Sequence, residues 1–128
     1  MIAIDTSAVV ALVSNEPARH RLAQTLAAHE DRIMSPISFV ELVMVLSRRF
    51  ADPKAAADRF IDGLRINLVP VNAAQTDWAA YAFATYGKGR SPARLNLGDC
   101  FSYAVAKAHD APLLFVGNDF SLTDVRRG

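Results

Sequence analysis

The chain of 128 residues is 52% hydrophobic and 21% charged, with a formal net charge of +1. That length holds one domain with its own core, and that composition excludes a disordered chain. The near-neutral charge excludes a global field that draws the molecule to nucleic acid or membrane, so an anionic partner needs a local patch. A single cysteine, Cys100, and three scattered histidines exclude a disulfide framework and a Cys-rich zinc module.

The opening MIAIDTSAVVALV is apolar but broken by Asp5, Thr6 and Ser7, with no basic residue before it. A secretory signal needs a charged start and an unbroken apolar stretch, and a membrane span needs about 18 apolar residues. The expectation is a cytoplasmic protein without a membrane segment. No linker, repeat or low-complexity tract divides the sequence, so residues 1–128 read as one domain.

Met1 to Ile4 reads as a short strand closed by Asp5. Helical spacing follows over Ala8 to Val13 and again from Pro17. Arg32 to Met34 reads as a brief strand, and Ser35-Pro36 as a cap with proline in the first helical turn. The helix Ile37 to Phe50 is apolar on nearly every side until Ser47-Arg48-Arg49, which predicts full burial. Asp52-Pro53 opens a helix to about Leu64, Leu68 to Val71 reads as a strand, and Ala73 to Tyr86 as a helix. Gly87 to Gly98 carries loop signals, Asp99 to His109 is helical, and Leu113 to Val116 is a strand. Short apolar strands separated by helices predict an α/β fold with three layers: a central, mainly parallel sheet flanked by helices. Chemistry in such folds lies beyond the carboxyl ends of the strands.

Four acids stand out against that frame. Asp5 follows the first strand directly, and Asp119 follows LLFV after a Gly-Asn turn. With both strands central and parallel, both acids lie on one rim; each also suits the role of a helix cap. Glu41 sits in ISFVELVMVL, where an unpartnered carboxylate is costly, and Arg48 and Arg49 lie beyond i to i+4 reach. Asp99 stands at the mouth of its helix, where a cap is again the simpler role. Taken together, two carboxylates about 4 Å apart at an effective dielectric near 20 repel by roughly 4 kcal/mol, so a converging set calls for a cation. All-oxygen ligands suit Mg²⁺ or Mn²⁺, and such a centre suits phosphoryl chemistry. No G-x-S-x-G elbow and no phosphate-binding GxxxxGK[ST] loop is present, and Cys100 reads as a small core residue. Lys88, Arg90 and Arg94 cluster in the loop before Asp99, with Arg126 and Arg127 after the Asp119 segment. They suit either a polyanion contact or a solvated loop and tail.

MIAIDTSAVVAL, SPISFVEL, ARLNLGDCFSYAVAK and LLFVGNDFSLTDV, in that order and over nearly the whole length, resemble the PIN-domain ribonucleases, most closely the VapC-type toxins. The resemblance implies a PIN-like domain in which Asp5, Glu41, Asp99 and Asp119 bind Mg²⁺, with Mn²⁺ as the alternative, and activate water. It makes Thr6 and Ser7 the residues that orient Asp5, gives Asn118 a comparable part beside Asp119, and leaves Asp124 as an outer or structural acid. It further implies a metal-dependent endoribonuclease, a homodimer, an inhibiting VapB-type antitoxin, and promoter DNA bound only through that antitoxin. A receiver-type signalling domain needs an acidic pair after the first strand and a late lysine, and neither is present. A non-catalytic interaction module has no need of four acids.

Overall fold

The computed structural model describes residues 1–128. In chain order the elements are β1 (Ile2–Ile4), α1 (Thr6–Val13), α2 (Arg19–Ala27), β2 (Arg32–Met34), α3 (Pro36–Leu46), α4 (Pro53–Gly63), β3 (Ile66–Leu68), α5 (Ala73–Tyr86), α6 (Leu97–Ala108) and β4 (Leu113–Leu114), followed by a 3₁₀ turn at Phe120–Leu122. The strands form one parallel sheet in the order β3-β2-β1-β4, with Ile2 opposite Arg32, Ala3 opposite Leu113 and Ile33 opposite Asn67. Strand alternation splits the core into two layers. Ile2, Ile4, Met34 and Leu114 pack with α1 to α4 on one face. Ala3, Ile33, Leu113 and Phe115 pack with α5 and α6 on the other. The expected three-layer α/β fold is present, and no helix is long and apolar enough to cross a membrane.

From β1 the chain steps outward through β2 to β3, then returns to place β4 on the opposite side of β1. The strand order therefore reverses between β1 and β4, and the crevice beyond their carboxyl ends is where open α/β sheets bind ligands. Asp5 and the segment carrying Asp119 leave the sheet at this point.

Several elements differ from the sequence expectation. The strand expected at Leu68 to Val71 lies at Ile66–Leu68, because Pro70 has no N–H for the ladder and Val69 makes its last bond, to Met34 O at 3.1 Å. The last strand is two residues long and stands at the end of the sheet order rather than centrally. Val116 N turns away to Ser7 Oγ at 3.0 Å, and Leu113 gains its outer pairing from the tail through Arg126 O and Gly128 N. The third helix stops at Leu46, with Ser47 folding its hydroxyl onto Met44 O at 2.6 Å. It is not buried all round: Val40, Met44 and Val45 are 55%, 65% and 42% exposed.

At the amino end of the sheet, opposite the crevice, Arg32 ties two layers together. Its guanidinium donates to His29 O (2.8 Å), Leu64 O (2.7 Å) and Leu26 O (2.5 Å), satisfying carbonyls where α2 and α4 run out. Arg126 is fastened at the same end, to the carbonyl and carboxylate of Asp110, and Arg127 lies over the Phe115 ring at 4.8 Å. Arg32→Leu is expected to lower unfolding stability in urea by about 3 kcal/mol, since hydrogen bonds from a charged donor contribute about 1.5–3 kcal/mol each and some carbonyls regain water. An unchanged denaturation midpoint would contradict this.

Candidate active site

Asp5 ends β1 and is 4% exposed. Its Oδ2 accepts from Ser7 N at 3.0 Å and from Ser7 Oγ at 2.6 Å, so Asp5 is indeed the cap of α1. Its Oδ1 accepts from Ser102 Oγ at 2.5 Å. Ser102 in turn bonds Ser38 Oγ at 2.9 Å, and both serines are wholly buried. A buried carboxylate survives only with such partners. Of the two residues expected to orient Asp5, Ser7 does so. Thr6 does not: its hydroxyl donates to Ser38 O at 2.8 Å.

Ser102 and Ser38 were not singled out from sequence. The signal for them is spacing: Ser102 follows Asp99 by three residues and Ser38 precedes Glu41 by three, which places each on the same helix face as an acid.

Glu41 is half-buried on α3 and fits against α6 at Gly98. A Cβ at position 98 would overlap the Glu41 carboxyl oxygens, so glycine there is a spatial requirement of the acid opposite. Burial, then the charge of Asp5, push the Glu41 carboxyl above its usual range. An apolar groove of about 510 Å³ opens beside it, lined by Pro36, Ile37, Val40, Met44 and Leu97, the last 72% exposed.

Asp99 is not the cap of its helix. Asn96 is, and the two form a reciprocal box: Asn96 Oδ1 accepts from Asp99 N at 2.9 Å, and Asp99 Oδ2 accepts from Asn96 N at 3.1 Å. Burial raises the Asp99 carboxyl to about 7 against the pull of that box, and the charges of Asp5, Asp119 and Glu41 add to the rise. The charges of all three other acids reach Asp99, so the four expected residues lie in one neighbourhood around it.

Asp119 is the outermost. It is exposed and its side chain caps nothing; Gly117 (φ 100°) and the buried Phe120 set its place in the turn. Asn118 is exposed beside it and only its backbone bonds, to Ser121 N. Asp124 lies elsewhere. It accepts from Tyr103 Oη at 2.7 Å and Lys107 Nζ at 2.9 Å. Burial would raise its pKa, but these two bonds outweigh that effect and hold it below the usual carboxylate range. Asp124 is thus a fastening for the tail, the structural role left open by sequence.

Lys88, Arg90 and Arg94 are exposed on the loop before α6, with Arg90 over the Phe83 ring at 5.1 Å. Cys100 is a core residue, 3% exposed, with its thiol pushed up to about 11 by burial and by Asp99. It is no nucleophile at neutral pH.

As the side chains rest, no three His, Cys, Asp or Glu groups stand close enough to hold one metal ion. The donor set is nonetheless all carboxylate, and burial, then the charges of neighbouring acids, raises Glu41 and Asp99. That is the chemistry and the charge a hard divalent cation relieves.

Comparison with known proteins adds to this geometry. The PIN domain profile matches residues 2–126. The VapC ribonuclease Mb0640 of Mycobacterium bovis is 46% identical over 123 residues, covering 95% of this chain and 94% of that protein. Among solved structures, Mycobacterium tuberculosis VapC20, described as a sarcin–ricin loop cleaving toxin, matches with TM-score 0.77 and 19% identity over 100% of this chain and 98% of that one. VapBC2 from Rickettsia felis, bound to a promoter DNA fragment, matches with TM-score 0.73 and 17% identity over 99% and 96%. At these identities the structural likeness is one of fold.

The Asp99 shift carries a sign. A carboxyl raised to about 7 in the folded state from 3.8 contributes stability below pH 4 that is lost as pH rises through 7. In chelator, Asp99→Asn is therefore expected to match the wild type near pH 4 and exceed it above pH 7 by about 2 kcal/mol, half the full linkage value because solvent screens the group. Melting curves from pH 4 to 8 measure this, and a pH-independent difference would contradict it.

Proposed function

As a member of the PIN-domain family and of its VapC ribonucleases, the chain is an endoribonuclease of the toxin–antitoxin type, and we propose that it cleaves selected RNA with a divalent cation held by Asp5, Glu41, Asp99 and Asp119. The observation that carries this reading is the crevice at the strand-order reversal, where the charges of the other three acids help raise Asp99 to about 7. Mg²⁺ is the expected ion and Mn²⁺ the alternative, since both take oxygen ligands. When bound, such an ion neutralises charge on the phosphate and acidifies water.

The chain's own groups do the rest. Ser7 takes both lone pairs of Asp5 Oδ2, through its N–H and its hydroxyl, and Ser102 takes one of Oδ1, which leaves a second lone pair of Oδ1 for the cation. Gly98 seats Glu41, and the Asn96 box fixes Asp99 at the start of α6. Lys88, Arg90 and Arg94 supply the local positive patch that a near-neutral molecule needs to hold an RNA strand.

The partners follow the same reading. A VapB-type antitoxin inhibits the toxin, and promoter DNA is bound through the antitoxin. The exposed Val40, Met44 and Val45 of α3 fit a homodimer, because apolar side chains clustered on one face of a helix favour an interface. A cytoplasmic site of action belongs with this function.

Asp5→Asn, Glu41→Gln and Asp99→Asn are each expected to remove most cleavage of a mixed RNA substrate in Mg²⁺ or Mn²⁺. The losses should not add, because the acids act as one unit. Wild-type rates in the Asp5 and Asp99 variants would refute the assignment.

A further inference from the structure

The hydrogen-bond directions around Asp5 are fixed by chemistry. A carboxylate only accepts, so Ser102 spends its single proton on Asp5 Oδ1, and Ser38 must then donate to Ser102. Ser38 is itself anchored, because its carbonyl accepts from Thr6 Oγ1 on α1. The result is a one-way chain, Ser38 to Ser102 to Asp5, with both serines at 0% exposure and so out of reach of water.

The chain also crosses between elements. Ser38 lies on α3 three residues before Glu41, and Ser102 lies on α6 three residues after Asp99. At that spacing an acid and its serine share a helix face about one turn apart. The contact between the two hydroxyls therefore fixes the helix of Glu41 against the helix of Asp99, and its end on Oδ1 fixes both against β1. Nothing else joins these three elements by side-chain hydrogen bonds. A hydrophobic residue at either position would fill the space and leave the register of the helices to packing alone.

Building on the cation reading above, we propose that Ser102 and Ser38 are positioning residues of the cleavage site. Their hydroxyls set the spacing at which Asp5, Glu41 and Asp99 meet a divalent cation, and they touch neither the cation nor the RNA.

The test uses the full chain with Ser102→Ala, Ser38→Ala and the double variant. Three quantities are read: Mn²⁺ affinity by calorimetry at fixed pH, kcat and KM on RNA, and melting temperature in chelator. Loss of a group that orients a metal ligand costs about 10–100-fold in affinity or activity. Ser102→Ala is expected to weaken Mn²⁺ binding and lower kcat by at least about tenfold, with KM for RNA unchanged. Ser38→Ala should move both in the same direction by less, and the double variant should fall no further than Ser102→Ala, because the serines act in series. A variant that melts lower but binds Mn²⁺ and turns over as the wild type does would reduce the serines to packing and overturn the inference alone. Should Ser102→Ala not fold, wild-type Mn²⁺ affinity in Ser38→Ala overturns it equally. A wild type that binds no Mn²⁺ overturns the cation reading and this inference with it.

Discussion

The rim of this protein depends on one buried carboxylate being held at both oxygens. Asp5 emerges from the central strand into a space only 4% open to solvent, where an unpartnered charge is untenable. Ser7 holds Oδ2 and also accepts from Val116 N, the point at which the last strand leaves the sheet for Asp119. Ser102 holds Oδ1 and ties in α6 and, through Ser38, α3. Each oxygen of Asp5 is thus the end of a path to other acids, and loss of either path detaches part of the site from the sheet.

Helix α6 organises most of what surrounds that point. It begins with Leu97 and Gly98, and Gly98 leaves room for Glu41. It then carries Asp99 in a box with Asn96, Ser102 against Asp5, and Tyr103 and Lys107 against Asp124. The last pair matters because Asp124 closes the segment that bears Asp119. Tyr103 is wholly buried under Trp78, Tyr81 and Tyr86, so this fastening is rigid. The cost of burying acids here, with the charge of their neighbours added, is visible in the raised carboxyls of Glu41 and Asp99. Such strain at a site is tolerated where the rest of the fold is well satisfied, and here only one buried side-chain atom, Gln75 Oε1, lacks a partner.

Sequence alone reaches the layer architecture and singles out four acids because both rest on local pattern: short apolar strands between helices, and acids placed just after strands or at a helix mouth. Glu41 was found on a premise that the fold corrects. Its helix is open on the side of Val40, Met44 and Val45, and the acid is half-buried against Gly98 rather than enclosed. Strand limits were less legible because they turn on single donors, such as the missing N–H of Pro70 and the Val116 N–H diverted to Ser7. The serine chain was not legible. Ser102 and Asp5 are 97 residues apart, and which hydroxyl of a Thr-Ser pair faces a carboxylate is decided by packing, as Thr6 turning to Ser38 shows.

The central claim is that these acids surround a cation, and diffraction from crystals grown with Mn²⁺ at the manganese absorption edge tests it most directly. The expected result is an anomalous peak in the crevice between β1 and β4, bonded at about 2.1 Å to oxygens of Asp5 and Asp99, with the Ser102 to Asp5 hydrogen bond retained. Crystals that take up Mn²⁺ only elsewhere on the surface, with Asp99 still closed onto Asn96, would contradict it.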